Sequence, residues 1–237
     1  MEGIKILQEP CREKADLDDP VPENIKTRWE RWGEELPSLG ELSIPRWHKP
    51  SKFGRISNAQ LHYFLDASTQ EYRQCSYLRL INDKVNIHCS FVINKARVGI
   101  LKSIKVPRLE FTAAVTSCKT SAQLQRELEY ETVEEVFLTD SKVVFGSISN
   151  DTRRFHIFLS NWVQEIQEQS FPDQWHYVET KWNVADYASR GLKPQGIQKS
   201  TWITGTVFPF KNKAYWPVHS STKTKESLDT VRRWSPS

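Results

Sequence analysis

The sequence predicts an α/β fold: a mixed, five-stranded sheet flanked by helices, with a helical segment ahead of it. Three observations predict it. YRQCSYLRLI and VNIHCSFVI are rich in strand-forming residues and are separated by Asn82-Asp83-Lys84, a turn composition, so they read as a hairpin. A short apolar run, LHYFLD (61–66), stands just before them and reads as a buried strand. Beyond the hairpin, helical and strand periodicities alternate, which calls for crossover connections and parallel pairing in the same sheet.

The elements follow in order. Residues 1–50 are irregular and proline-rich around one helix. Asp18-Asp19-Pro20 is its start signal, Ile25, Trp29, Trp32 and Leu36 recur at helical spacing, and Pro37 ends it. ELSIPRWHKP then reads as an extended linker because of Pro45 and Pro50. After the three strands, Pro107 opens a helix whose stripe is Phe111, Val115, Cys118 and Ala122. VEEVFLTD (133–140) is the next strand. Its centre, Val136-Phe137-Leu138, lacks polar alternation, so it is expected to be buried on both faces. Phe155, Phe158, Leu159, Trp162, Val163 and Ile166 form the broad face of a second long helix, stopped by Pro172. QWHYVET (174–180) is a strand, and Ala185 to Arg190 a short helix ending at Gly191. The predicted order is βββ-α-β-α-β-α. Three regions result: a leading segment over 1–55, the sheet domain over 56–192, and an extension over 193–237. In the extension Trp202 and Trp216 act as local anchors, and the last ~15 residues are expected to be disordered.

Composition narrows the function classes. Hydrophobic residues make up 38% of the 237 and charged residues 26%, enough for a packed core. No stretch reaches the ~20 apolar residues of a membrane span, and the N-terminus has no signal-peptide core, so an intracellular protein, cytoplasmic or nuclear, without a membrane partner is expected. Cys11, Cys75, Cys89 and Cys118 are scattered without zinc-ligand spacing and read as free buried thiols. Net charge is +4. Between Lys84 and Leu109 there are six basic residues (Lys84, Lys95, Arg97, Lys102, Lys105 and Arg108) and no acid, which suits either a solvated face or a ridge for phosphates.

Four carboxylates carry the chemistry. Asp66 ends the first strand, Glu110 lies in the first turn of the first long helix, Asp140 ends the central strand and Asp186 begins the last helix. Strand ends and helix starts of such a sheet gather at one edge, where ligands bind. Each acid alone reads as a cap, a turn residue or a complement to a helix dipole. Together, acids in so apolar a setting (FLDAS, FLTDS) repel one another, and divalent cations offset that directly. Two hard cations roughly 4 Å apart, held by carboxylates, are what hydrolysis of a phosphodiester needs.

FLDAS, VPRLEF, FLTDS and WNVADYASRGL resemble, in this order, the motifs of the ribonuclease H domain in BEL/Pao LTR retrotransposon polyproteins. DDPVPENIKTRWERWGEELPSLGELSIPRW resembles the connection after the polymerase, and TWITGTVFPFKNKAYWP the link toward the integrase, so the likeness is collinear over roughly residues 15–217. The resemblance implies a ribonuclease H-like fold and cleavage of the RNA strand of an RNA–DNA hybrid. It implies two Mg2+ ions, with Mn2+ as a substitute, on Asp66, Glu110, Asp140 and Asp186. Its partners are the hybrid and the polymerase and integrase portions of a parent polyprotein. Ser68, Lys105, Arg108, Ser141 and Arg190 are the substrate-side candidates, Asn183 is a helix cap, and His176 is a packing residue.

Two other readings compete. A module that binds nucleic acid without turnover fits the absence of a YxDD polymerase motif and the tryptophan-bearing helix (Trp29, Trp32). An aspartic peptidase needs Asp-Thr/Ser-Gly loops, and no DTG or DSG occurs in the sequence.

Overall fold

The computed structural model describes residues 2–16, 18–44, 48–69, 71–99, 105–128, 130, 133–149, 157–189, 196–197, 200–205, 207–211, 216 and 218–220. Among these residues one sheet holds six strands: β1 (Ile56–Ala67), β2 (Glu71–Asn82), β3 (Ile87–Val98), β4 (Glu134–Thr139), β5 (Trp175–Val178) and β6 (Val218–Ser220). Their order is β3-β2-β1-β4-β5-β6. The hairpin pairs are antiparallel, β1–β4 and β4–β5 are parallel, and β6 returns antiparallel to β5. This is the mixed α/β architecture that the pattern predicts. The sixth strand is the addition: it comes from the tail, where the sequence shows no strand signal beyond Val218-His219-Ser220.

The helices are α1 (Glu2–Glu13), α2 (Glu23–Glu35), α3 (Val106–Glu127), α4 (Lys142–Ile148), α5 (Ile157–Gln167), α6 (Val184–Ser189) and α7 (Thr201–Thr204). Helix α3 opens with Pro107 in its first turn, where the missing N–H is harmless. Its Phe111, Val115 and Cys118 are buried as the stripe predicts, whereas Ala122 is exposed and Leu124 takes the buried place. Leu159, Trp162, Val163 and Ile166 of α5 line the same core; Phe155 and the side chain of Phe158 lie outside the described residues. Two helices differ from the sequence reading. Residues 2–13 are helical despite Pro10, and Lys142–Ile148 forms a separate helix directly after β4.

The sheet separates two cores. On one face Leu61, Tyr63 and Leu65 of β1 pack with Phe137 of β4 under α3, α4 and α5, and Phe137 stacks between Tyr63 and Trp175. On the other face Phe64, Cys75, Tyr77, Val136 and Leu138 pack with Val184 and Ala185 of α6 and with Phe208 and Trp216 of the tail. The strand period of two makes this division: alternate residues of β1 and β4 serve opposite cores, so β4 is buried on both sides, as expected.

The tail is part of the second core. Arg79, 3% exposed, donates from Nε to the Pro209 carbonyl at 2.5 Å and from Nη2 to the Lys211 carbonyl at 3.1 Å. It also lies 5.5 Å from the Trp216 ring. Trp202 donates its indole N–H to Cys75 Sγ at 3.4 Å and accepts from the Tyr77 hydroxyl on its carbonyl. Gly205 has φ +79°, and a Cβ there would meet the Tyr77 ring at 3.2 Å, so the close approach needs glycine. Of the four cysteines, Cys75, Cys89 and Cys118 are buried thiols, but Cys11 is exposed on α1.

The N-terminal helices pack on each other. Gly3 of α1 sits against the Trp32 ring of α2, and Arg28 of α2 holds Glu9 at 2.7 Å. Trp32 therefore has a partner inside the segment, while Trp29 remains 39% exposed. Helix α1 buries Ile6 and is tied to β2 through Lys5 to Glu71 at 2.9 Å and to the residue after β3 through Gln8 to the Gly99 carbonyl at 3.1 Å.

Candidate active site

Strands β1 and β4 run parallel with Leu65 opposite Thr139, so Asp66 and Asp140 are the next residues on neighbouring strands. Phe64 and Leu138 belong to the second core, and the pleat puts Asp66 and Asp140 on that same face. Helix α6 covers this face with Val184 and Ala185, which sets Asp186 beside them in sequence at the same edge. Glu110 arrives from the other face, in the first turns of α3 between buried Leu109 and Phe111. Its carboxylate accepts a hydrogen bond from the Ser141 hydroxyl at 2.6 Å, and Ser141 directly follows Asp140. All four acids are half-buried.

Electrostatics tie Glu110, Asp140 and Asp186 to one another. Burial is the main cause that raises the Glu110 pKa; the Ser141 hydrogen bond opposes it and the Asp140 charge adds to it. Burial also raises the Asp140 pKa, against hydrogen bonding from Thr180, Asn183 and its own backbone; the Asp186 charge raises it further. Asp140 thus feels carboxylates on both sides. Hard, oxygen-donating ligands whose charge is disfavoured by burial and by one another fit a divalent cation. Among the described residues, however, no three His, Cys, Asp or Glu side chains stand close enough to hold one metal ion.

The substrate-side candidates have distinct settings. Ser68 closes the β1–β2 turn, its N–H donating to the Glu71 carbonyl at 2.8 Å. Ser141 is buried and caps α4, accepting from the Val144 N–H at 3.3 Å while holding Glu110. Lys105 and Arg108 are exposed at the start of α3, five and two residues before Glu110. Arg190 lies outside the described residues, as does Lys102 of the basic stretch. In that stretch Lys84 and Arg97 are exposed and Lys95 bonds Gln123 at 2.9 Å. His176 is buried in β5.

Asn183 does more than its sequence position suggests. It caps α6 by accepting from the Ala185 N–H at 3.1 Å, and its Nδ2 donates to the Leu65 carbonyl at 2.8 Å. That second bond fastens the Asp186 helix to the residue before Asp66. Glu71 and Arg73, 1% and 2% exposed and ion-paired to each other, are buried charges that the apolar pattern of β2 conceals. The signal was two charges at i and i+2 in a strand otherwise read by its apolar residues.

A family model described as the Pao retrotransposon-like RNaseH-like domain matches residues 1–141. Among solved structures, the N-terminal RNase H domain of Rv2228c from Mycobacterium tuberculosis, fused to maltose-binding protein, is 13% identical. That match covers 60% of this chain and 96% of the other, with a TM-score of 0.38. RNase H1 from the halophilic archaeon Halobacterium salinarum NRC-1 is 12% identical over 62% of this chain and 100% of its own, with a TM-score of 0.36. LC11-RNase H1, solved in complex with an RNA/DNA hybrid, is 12% identical over 60% and 98%, also at 0.36. No curated protein matches the chain. With its matched region spanning 141 of 237 residues, the chain belongs to the family of Pao retrotransposon-like RNase H-like domains.

Proposed function

We propose that this chain is a ribonuclease H-type nuclease that hydrolyses the RNA strand of an RNA–DNA hybrid with two divalent cations, Mg2+ or in its place Mn2+. The observation that carries the reading is the meeting of two strand-end aspartates, Asp66 and Asp140, on adjacent parallel strands, with Glu110 and Asp186 brought to them by helices from opposite faces. When bound there, the cations supply water activation and stabilise charge on the leaving oxygen. Asp66, Glu110, Asp140 and Asp186 would hold them. The remaining residues position and neutralise. Ser141 orients the Glu110 carboxylate. Asn183 fixes α6, and with it Asp186, against β1. Lys105 and Arg108, exposed at the start of the helix that carries Glu110, neutralise substrate phosphates, and Ser68 and Arg190 belong to the sequence motifs that carry Asp66 and Asp186. The hybrid is distinguished from duplex DNA by groove shape and 2′-hydroxyl contacts. The polymerase and integrase portions of a parent polyprotein are its proposed covalent partners.

The test is direct. Asp140→Asn and Asp66→Asn are each expected to abolish Mg2+-dependent cleavage of a labelled hybrid while circular dichroism stays that of the parent. Cleavage at the parent rate in either variant overturns the assignment. One observation favours a second reading, a module that binds nucleic acid without turnover: no three of the acidic side chains among the described residues form a ready ligand group. Hybrid retained on a filter without cleavage, across Mg2+ and Mn2+ titrations, would select it.

A further inference from the structure

A fully buried histidine lies under the tail. His62 of β1 is 0% exposed and faces the second core, two residues before Phe64. The Trp216 ring of the tail packs edge-on against it, with ring centroids 5.0 Å apart. On its other side, His62 Nε2 lies 3.2 Å from Gln60 Oε1. An amide oxygen only accepts, so the neutral ring carries its proton on Nε2. The same oxygen accepts from Arg79 Nη1 at 3.0 Å, while Gln60 Nε2 donates to Glu134 at 2.8 Å. Arg79 holds the tail through the carbonyls of Pro209 and Lys211 and through the Trp216 ring. One amide oxygen therefore joins the buried histidine to the buried cation on which the tail is docked.

The groups around His62 can be named strand by strand. Directly across from it stand Tyr77 on β2 and Val136 on β4. Glu134 of β4 is exposed and reaches the ring only through the Gln60 amide. Cys89 of β3 stands across from Arg79, a thiol whose pKa burial pushes up to about 12. On β5, His176 is a second buried histidine, opposite Leu138 of the same core. Helix α6 brings Val184 and Ala185, which do not titrate, and Asp66 and Asp186 lie further along, at the strand-end edge.

We infer that His62 is a pH-sensitive latch for the tail: the neutral ring accepts the docked tail, and the protonated ring releases it. A proton added at Nδ1 makes a second cation beside the Arg79 guanidinium, in a place that Trp216 closes to water. Burial already disfavours the Arg79 charge, and Glu134 sets one negative charge against two positive. Undocking gives both cations water. Because docking selects the neutral ring, it is at full strength above the pKa of a water-exposed imidazole, about 6.5, and weakens as pH falls below it. Between pH 7.5 and pH 5.5 the loss comes to about tenfold. What the tail then uncovers is Phe64, Tyr77 and Val136, an aromatic face that neutral pH keeps shut.

Hydrogen exchange of the full chain at pH 7.5 and pH 5.5, corrected for the intrinsic rate at each pH, reads the latch. In the parent, tail amides over 207–211 and 218–220 are expected to lose about tenfold in protection at pH 5.5, while those of β4 keep theirs. His62→Phe keeps a ring against Trp216 and leaves the Gln60 oxygen to Arg79, so it is expected to hold equal protection at both pH values. His176→Phe is expected to show the parent's fall. Parent tail protection unchanged at pH 5.5 overturns the latch, and so does a fall that persists in His62→Phe or vanishes only in His176→Phe. An equal fall in β4, which marks unfolding of the whole chain, overturns it as well. If His62→Phe does not fold, nitrogen chemical shifts of the His62 ring in the parent decide. A ring that gains its proton in step with the loss of tail protection upholds the latch; one that stays neutral after the tail has lost protection overturns it.

Discussion

At Asp140 the desolvation of a carboxylate meets the charges of its neighbours, and that makes the site costly to fold. Asp140 and Glu110 both have pKa values raised chiefly by burial. A raised folded-state value means that the folded protein binds the proton more tightly than the unfolded chain. The stability from these two groups is full below the ordinary carboxylate range of about 4 and is lost as pH rises through the raised values. In metal-free protein, Asp140→Asn is therefore expected to raise Tm at pH 7 and to flatten the loss of stability between pH 4 and pH 7. A chain of this length shifts by about 2–4 °C per kcal/mol relieved. Thermal melts at the two pH values, parent against variant, check it; a lower Tm for Asp140→Asn at pH 7 refutes it. Added Mg2+ is expected to reverse the order, stabilising the parent and leaving the variant unmoved.

At the scale of elements, Asn183 joins α6 to β1 through two hydrogen bonds while 1% exposed. Asn183→Ala leaves the Leu65 carbonyl and the Ala185 N–H unsatisfied, a loss of about 1–3 kcal/mol. Asn183→Asp keeps the acceptor for Ala185 but loses the donor and sets a buried carboxylate against Asp140 and the Leu65 carbonyl, so urea unfolding at pH 7 is expected to place both variants below the parent. The elements themselves were legible where local chemistry decides. The Asn82-Asp83-Lys84 turn, the Pro107 helix start and the apolar centre of β4 all fall where the residues put them. Helix α1 was not legible because Pro10 argues against a helix, and it is held by Trp32 and Glu71, far along the chain. Helix α4 is only Lys142–Ile148, too short for a periodicity to develop. At the site, the four acids were visible as strand ends and helix starts. The Asn183 bond to Leu65 was not, because its partner stands far along the chain.

For the molecule as a whole, the tail is structural. Trp216 is 7% exposed, packs edge-on to His62 and Phe208, and donates to the Lys211 carbonyl at 3.1 Å. Trp216→Ala is expected to cost about 3–5 kcal/mol, the range for large aromatic truncations in a core. A urea titration with unchanged slope and a lower midpoint would show it; a midpoint within error of the parent would mean that the tail merely rests on the sheet.

The reach of that tail bears on synthesis. The Tyr77 hydroxyl bonds a carbonyl 125 residues downstream, and Arg79 bonds one 130 residues downstream. At about 5–20 residues per second, translation takes roughly 6–25 s to deliver those partners after β2 has emerged. Throughout that interval Phe64, Tyr77 and Arg79 wait on the nascent chain without the residues that will cover them. Ribosome-bound chains stalled before Trp202 should accordingly recruit holdase chaperones, and chains stalled once Ser220 has cleared the exit tunnel should release them.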